Sequence, residues 1–347
     1  MRSSTNIEFS RDIERRYQDN VARHILSISL YMQSEIMGAL TVSHGHSQLR
    51  INFEPYISMA ARSGVRLSEI AEMLGISRQA ANQTANQIEK AGYLRRASDP
   101  SDGRAKLLVT TPRAMMLVKQ GAAEALALEN QFAELVGEAN IAQLNLSMTK
   151  LSRRLGLLFP YQGEQALTLA ATLPRMSDYI TRRLQQLTMQ KGHPQLKRSF
   201  GTVLTAIGPR GGRIQQMARS RDISKQAVSA IATELEALGY IKRVADAADA
   251  RQIVLQFTKA GRALIADSVD SVNQLVAEFA EAIGDGELEH LKHTVAKIYR
   301  LQHLEEDIFG NASGNDIQAM AQQLSMQLGE QGAINLGRLL LAGNSGH

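Results

Sequence analysis

The chain has 347 residues, enough for two to three domains, and 44% of them are hydrophobic, so a globular protein is expected. It contains no cysteine, which excludes disulfides, thiol redox chemistry and thiolate metal sites. The net charge is +5, and neither a signal peptide nor a long apolar run is evident, so we expect a cytoplasmic protein without a membrane span.

In chain order, the first predicted element is a long amphipathic helix over residues 11–43, followed by a second helix over 50–63. Two short helices then meet across Gly75, which is the spacing of a helix-turn-helix, and Ser77 caps the second of them. Strand-like residues on both sides of "SDPSDGR" predict a hairpin. Two further helices, the first with Pro112 in its opening turn, complete the unit.

The same order of elements then occurs a second time, 147 positions further along the chain. The stretch "ISRQAANQTANQIEKAGYLRR" from Ile76 returns as "ISKQAVSAIATELEALGYIKR" from Ile223. Since solenoid repeats have periods of roughly 20–50 residues, a period of this length indicates a duplicated domain. We predict three segments: a first repeat over 1–160, a second over 161–309, and a linker with an amphipathic tail over 310–347.

Each repeat is predicted to be mainly α with a small β-hairpin wing. The motifs are "LSEIAEMLGISRQAANQTANQIEKAGYLRR" and its echo "IQQMARSRDISKQAVSAIATELEALGYIKR", each followed by an Asp-rich loop and by a Thr that opens the next helix. On these motifs both repeats resemble the MarR-type winged helix-turn-helix transcriptional regulators, over nearly all of their length. The resemblance implies tandem winged helix-turn-helix domains whose long helices form an intramolecular dimer-like body, because relatives bind DNA as twofold dimers.

The resemblance also implies a partner. A duplex operator presents two major-groove faces about one helical turn apart, and each receives a recognition helix. This chain supplies both helices, so we expect one chain, a monomeric pseudo-dimer, to bind two half-sites of double-stranded DNA. A homodimer formed through the C-terminal tail is the alternative that the sequence leaves open.

Positive charge is concentrated in both winged-helix segments. Residues 62–113 hold nine Lys or Arg against five Asp or Glu, and residues 197–262 hold twelve against five. Two basic segments at the same place in both repeats are typical of surfaces that bind a polyanion. Two solvated faces would explain the charge alone equally well.

The second helix of each helix-turn-helix carries the candidate base contacts. In the first repeat Ala81, Ala85 and Ile88 suit packing, while amide and basic side chains occupy the other side. Asn and Gln can bind both hydrogen-bonding groups of adenine, and Arg those of guanine. With the wing included, the candidate DNA contacts are Ser77, Arg78, Gln79, Asn82, Gln83, Asn86, Arg104, Lys106, Ser224, Lys225, Gln226, Ser229 and Arg251.

The two recognition helices are not equivalent. The first has four amide side chains, whereas the second keeps Gln226 and has Ser229, Ala230 and Thr233 in place of the other three. We therefore predict that the first repeat reads most of the DNA sequence and that the second acts more as an electrostatic anchor.

The wings read "DPSDGR" and "DAADAR", where wings of the resembled family commonly read Asp-x-Arg-Asp-x-Arg. The second Arg is present as Arg104 and Arg251, but Ser101 and Ala248 replace the first, which weakens the expectation of deep minor-groove insertion. We expect the wing aspartates to orient the remaining arginines: Asp99, Asp102, Asp246 and Asp249. The alternative is that the Asp–Arg set only holds the hairpin together.

Many relatives respond to small ligands, often aromatic acids, that bind between the dimer body and the DNA-binding lobe. The resemblance therefore implies a small-molecule effector, and a guanidinium beside an apolar wall suits a carboxylated ring. The candidate ligand residues are Arg23, Tyr31, Arg62, Tyr179, Arg182 and Arg183. Arg and Tyr on a long helix are also ordinary surface and interface residues.

The sequence shows no enzyme motif: it has no phosphate-binding Gly-rich loop, nucleophile elbow or metalloprotease helix. His44 and His46 lack dense carboxylate partners, so we expect loop histidines, no metal and no cofactor. We predict a sequence-specific regulator, a repressor released from DNA by a ligand. Two alternatives stay open: a structural or DNA-bridging winged-helix protein without a ligand switch, and a protein-interaction module, against which the amide face of the first repeat argues.

Overall fold

The computed structural model of the chain describes residues 12–61, 63–158, 165–208, 211–220, 223–246 and 253–304. Within these residues the protein is mainly helical and has two small antiparallel sheets, so the predicted fold class is confirmed. The C-terminal tail predicted over 310–347 lies outside the described residues.

The first repeat begins with helix α1 over residues 12–18. Its remaining elements are α2 (Val21–Gly38), α3 (Glu54–Ala60), β1 (Val65–Arg66), α4 (Leu67–Leu74), α5 (Arg78–Lys90), β2 (Leu94–Asp99), β3 (Asp102–Thr110), α6 (Pro112–Val136) and α7 (Glu138–Arg154). A π-helical turn, Ala39–Ser43, extends α2, and a 3₁₀ turn, Ile51–Phe53, precedes α3.

The second repeat follows the same order. Its elements are α8 (Leu169–Gln190), α9 (Phe200–Leu204), β4 (Gly212–Arg213), α10 (Ile214–Ser220), α11 (Lys225–Ala237), β5 (Ile241–Ala245), β6 (Ile253–Phe257), α12 (Lys259–Ile283) and α13 (Asp285–Leu301).

The single helix predicted over residues 11–43 is wrong in one respect, because the chain bends between α1 and α2. At the bend the side-chain amide of Asn20 donates to the carbonyl oxygens of Arg16 and Tyr17, each at 3.0 Å. These carbonyls belong to the last turn of α1, and the last carbonyls of a helix have no partner within the helix. The side chain thus ends one helix just before the next begins.

Each wing is a three-stranded sheet rather than the predicted two-stranded hairpin. The strand order is β1-β3-β2 in the first repeat and β4-β6-β5 in the second. In the first sheet Val65 pairs with Leu108, and in the second Gly212 pairs with Leu255. The added strands have two residues each, too few to show the alternation by which a strand is recognised in sequence.

Local sequence explains the helix-turn-helix of the first repeat. Gly75 ends α4 in the left-handed conformation, with φ of 63° and ψ of 34°, which costs a residue with a Cβ atom more than glycine. Two residues later Ser77 caps α5, its Oγ accepting from the amide of Ala80 at 3.1 Å. Ser224 caps α11 in the same way, through the amide of Ala227.

Each helix-turn-helix packs on its own hydrophobic core. In the first repeat Ala85 and Ile88 of α5 are buried with Phe53 and Tyr56, and in the second Leu235 of α11 joins the corresponding cluster. Full burial of one such side chain contributes about 1.5–3 kcal/mol. These cores fix which side of each recognition helix faces outward.

The long helices form two compact units, and each unit contains helices of both repeats. One comprises the described residues up to Asn20, Ile180–Ala277 and those from Tyr299 onward; the other comprises Val21–Tyr179 and Glu278–Ile298. The compact units therefore do not follow the predicted repeat boundaries, which remain a statement about sequence similarity.

Contacts within each unit join the two repeats. In the unit that contains α7, Lys150 pairs with Glu287 of α13, with 2.7 Å between Nζ and Oε1. In the other unit Arg300 of α13 pairs with Asp19 at 3.0 Å. Helices of both repeats are thus joined within each unit, as the prediction of an intramolecular dimer-like body requires.

The N-terminal helical region is the one segment among the described residues with the length and composition of a membrane span, at a mean hydropathy of 1.3 over its most apolar window. Length and composition are weak evidence for a span. Its apolar side chains Val21, Ile25, Ile28 and Met32 are buried within the protein, and 28% of the apolar window as a whole is buried.

Gly261 at the start of α12 provides a test of how closely this helix packs against the backbone at Tyr240, which precedes β5. A Cβ atom added at Gly261 would clash with the carbonyl oxygen of Tyr240, a backbone atom that cannot move alone. We expect Gly261→Ala to lower the free energy of unfolding by about 1–3 kcal/mol. Gly121→Ala in the middle of α6 is the control, because its nearest neighbour would be Leu40 Cδ1 at 3.8 Å.

The control variant should raise stability by about 0.5–1 kcal/mol, since alanine favours a helix over glycine. Urea denaturation measures both changes. Equal effects of the two substitutions would contradict the close approach at Gly261.

Candidate nucleic-acid interface

The outward side of α5 consists of polar side chains. Arg78, Gln79, Asn82, Gln83 and Asn86 are all exposed, whereas Ala81, Ala85 and Ile88 are buried as predicted. Spacing of three and four residues keeps the polar set on one face of the helix. Donors and acceptors on such a face can reach base edges in a major groove.

An arginine from the wing organises two of these amides. Arg96 of β2 donates from one terminal nitrogen to Oδ1 of Asn82 and Oδ1 of Asn86, each at 2.8 Å. Its Nε lies 3.3 Å from Oε2 of Glu89. The carboxylate therefore fixes the guanidinium, which in turn holds both asparagines. We call these four residues the amide clamp.

The second repeat has the same arginine and glutamate but different partners. Arg243 lies 3.1 Å from Oε2 of Glu236, as Arg96 pairs with Glu89. Its other terminal nitrogen donates to Thr233 Oγ1 at 3.1 Å and to the carbonyl oxygen of Ser229 at 3.3 Å. Thr233 also donates its hydroxyl to that carbonyl, at 2.9 Å. Ser229 and Thr233 align with Asn82 and Asn86 of the first repeat, and in α11 these two residues bond to each other.

Exposure of the remaining candidates on α11 varies. Lys225 and Gln226 are exposed, and Ser229 is half-buried. The hydroxyls of Ser77 and Ser224 accept cap hydrogen bonds, which leaves the single proton of each available for donation.

The first wing is held at its base by an ion pair. Arg66 of β1 donates from Nε to Asp99 Oδ2 at 2.7 Å, and Arg213 of β4 makes the same contact with Asp246 in the second repeat. The expectation that Asp99 orients Arg104 is therefore wrong, because the third strand brings a nearer arginine to this aspartate. The same expectation for Asp246 stays a prediction, because Arg251 lies outside the described residues.

Ser101 adds to this arrangement at the turn. Its amide and its hydroxyl both donate to Asp99 Oδ1, at 2.8 and 2.6 Å. These two hydrogen bonds, and then the Arg66 guanidinium, lower the pKa of Asp99 to about 2. Ser101 stands where the wing of the resembled family commonly has its first arginine, and here it closes the turn.

At the tip of the first wing, Arg104 and Lys106 are exposed. The Asp102 carboxylate accepts from the backbone amide of Arg104 at 3.1 Å, and Lys106 donates to Ser98 at 3.2 Å. Asp249 and Arg251 of the second wing lie outside the described residues.

Comparison with known proteins identifies these units. The model of the MarR family matches the chain twice, over residues 56–105 and 201–252, and each match includes one helix-turn-helix and the first part of its wing. The chain therefore contains two MarR-type winged-helix units. No curated protein gives a significant match.

Solved structures give further matches, each to about one third of the chain. YusO from Bacillus subtilis is 19% identical, with 37% of this chain and 89% of that one covered and a TM-score of 0.30. BldR from Sulfolobus solfataricus is 19% identical, with coverages of 38% and 91% and a TM-score of 0.31. Streptococcus pneumoniae FabT, in complex with DNA, is 17% identical, with coverages of 38% and 96% and a TM-score of 0.30.

The histidines near the first MarR-type unit are engaged by protein groups. His46 bonds through one ring nitrogen to Tyr93 at 3.2 Å and through the other to Gln120 at 2.7 Å. His44 lies 2.8 Å from Glu124. No cluster of three or more metal-ligating side chains occurs within the described parts of the chain.

The candidate ligand residues lie in different surroundings. Arg23 is buried at 7% exposure, and the rings of Tyr31 and Phe132 are 6.2 Å apart. Tyr179 stacks with Phe279, Arg182 is exposed and Arg183 is half-buried. Arg62 lies outside the described residues. An effector role for this set stays a prediction.

Sequence reasoning missed the arginines that shape the MarR-type units. Arg96 and Arg243 are 147 positions apart, as are Glu89 and Glu236, and this coincidence is the signal that both pairs have a common structural role. Arg66 and Arg213 show the same spacing, but without the third strand nothing in the sequence assigns them to the wing.

The Asp99 contacts predict a pH dependence. Since the pKa of this carboxyl is about 2 in the folded protein and ~3.9 in an unfolded chain, its contribution to stability is complete above about pH 4 and is lost as the pH falls towards 2. Asp99→Asn should therefore lower the urea midpoint at pH 7, and its difference from wild type should shrink between about pH 4 and 2. Asp102→Asn is the comparison at the same turn, and its effect should be smaller, because the Asp102 carboxylate is 48% exposed and lies 3.9 Å from Arg66.

A difference between Asp99→Asn and wild type that stays constant from pH 7 to 2 would contradict this assignment.

Proposed function

We propose that the chain is a sequence-specific transcriptional regulator that binds double-stranded DNA through both MarR-type units. The observation that carries the proposal is the exposed polar face of α5, whose opposite face is packed in the core and whose neighbouring wing is basic. A helix held in this way can enter a major groove while the wing contacts the backbone.

The two MarR-type units would occupy two half-sites about one helical turn apart on one operator. Contacts between helices of both repeats within each compact unit support a body built from one chain. We expect one chain per two-half-site duplex in light scattering of the complex. Two chains on one duplex would instead support a homodimer.

The proposed regulator is a cytoplasmic repressor that leaves DNA when a small aromatic acid binds. Arg23 and Tyr31, together with Arg62, are proposed for an effector site in the first repeat, and Tyr179, Arg182 and Arg183 for the corresponding site in the second repeat. Addition of an aromatic carboxylate to the preformed complex, followed by fluorescence anisotropy of labelled DNA, measures release. The alternative is a structural or DNA-bridging protein, for which no carboxylate would change the anisotropy.

Affinity for DNA should depend steeply on salt, because each phosphate contact releases condensed counterions. With about six to ten such contacts, the affinity for a selected operator should fall by roughly 10³-fold or more between 50 and 200 mM salt. Fluorescence anisotropy over that range measures the slope. The same affinity at both salt concentrations would contradict DNA binding through the two basic units.

The unequal recognition helices predict unequal roles. Gln83 is exposed on α5, and the aligned residue of α11 is Ala230, so Gln83→Ala should relax base preference in one half-site and leave the other intact. Lys225→Ala at the start of α11 should weaken binding to all sequences by a similar factor, because a phosphate contact carries no base information.

Binding-site selection from random duplexes with each variant tests these roles. If Gln83→Ala selects the wild-type motif while Lys225→Ala loses half of it, the two roles are assigned the wrong way round.

A further inference from the structure

The amide clamp decides which atoms of two asparagines face outward. An arginine side chain has hydrogen-bond donors but no acceptor, so the atom that faces Arg96 in each asparagine is the carbonyl oxygen. One terminal nitrogen of the guanidinium carries two hydrogens, and the 2.8 Å distances to Asn82 Oδ1 and Asn86 Oδ1 give each hydrogen one acceptor. Both side-chain orientations are thereby fixed.

The two NH₂ groups are left on the other branch of each amide. Among the described residues neither NH₂ group has a hydrogen-bond partner, and both asparagines are exposed. The guanidinium cannot turn away freely, because Glu89 holds its Nε. The first recognition helix therefore presents two oriented donors, one helical turn apart.

We infer that Arg96 is a positioning residue that makes Asn82 and Asn86 a pair of amide donors, so that the first MarR-type unit selects bases with major-groove acceptors. Guanine offers two acceptors, O6 and N7, and thymine offers O4. Adenine pairs one acceptor with a donor, and cytosine offers a donor. An asparagine free to rotate would bind both groups of adenine, so the clamp changes the expected base from adenine to guanine or thymine.

The second unit lacks this device although it keeps the arginine. Arg243 bonds to Thr233 and to a backbone carbonyl, and the one hydroxyl proton of Thr233 is already donated to Ser229. No amide is oriented there, so Arg243 offers a matched control in the same protein: the same residue at the same strand position, paired with the same glutamate, without asparagines to position.

The inference rests on the proposed DNA binding, and binding-site selection from random duplexes tests both. Wild type should enrich guanine or thymine at the positions read by the clamp, which are those whose preference disappears in the Asn82→Ala/Asn86→Ala double variant. Arg96→Leu should shift these positions towards adenine, changing the guanine-to-adenine ratio by at least about fivefold, the low end for a bidentate base contact. Arg243→Leu should leave them unchanged.

The base preferred at the clamp positions distinguishes a positioning role of Arg96 from a merely structural one. A loosened wing or a lost positive charge would weaken binding to all sequences alike. If wild type enriches no motif, the proposed function fails and the inference with it. If wild type enriches adenine at the clamp positions, or if Arg96→Leu keeps the guanine or thymine preference, the inference alone is overturned.

A second variant tests the donors directly. Asn86→Asp keeps an oxygen for Arg96 but replaces the NH₂ group with a second acceptor. The preference at its position should move towards cytosine, whose amino group donates in the major groove. Retained guanine or thymine at that position would show that the asparagine NH₂ group does not read the base, and would overturn the inference.

Discussion

The structure depends on contacts between helices of the two repeats, which lie together within each compact unit. Leu144 and Met148 of α7 are fully buried, as are Leu291 and Ile298 of α13, and the two helices are joined by the Lys150–Glu287 pair. Because the second copy is part of the same chain, no translational entropy is lost when the copies associate.

The polar contacts between the repeats contribute little energy. Lys150 and Glu287 are each more than a third exposed, and exposed ion pairs contribute about 0–1 kcal/mol. Such a pair adds little affinity to packing that the covalent link already enforces. Its effect is on register, because a charge on α7 meets its opposite only when α13 lies at one position along it.

Much of the fold could be predicted because the signals are local. The Ser77 cap, the Gly75 turn and the packed face of α5 depend on a few neighbouring residues, and the structure has all three. What could not be predicted depends on residues distant in sequence. The two-residue strand β1 forms only because β3 lies beside it, and with it comes the Arg66–Asp99 pair that displaced the expected role of Asp99. Nor does helical periodicity indicate that a wing arginine would bond to two recognition-helix amides.

In a duplicated chain one copy can acquire substitutions that the other lacks. The amide clamp, present only in the first MarR-type unit, is such a difference. Arg–Glu pairs at corresponding positions link wing to recognition helix in both units, so this part serves the architecture of the fold. The groups that each arginine bonds are different: two side-chain amides in the first unit, a hydroxyl and a backbone carbonyl in the second. A homodimer of identical chains would carry the same groups in both halves, and would be suited to a palindrome. The shared scaffold thus fixes where each recognition helix lies, while the residues bonded to its arginine determine whether that helix presents oriented donors to a base.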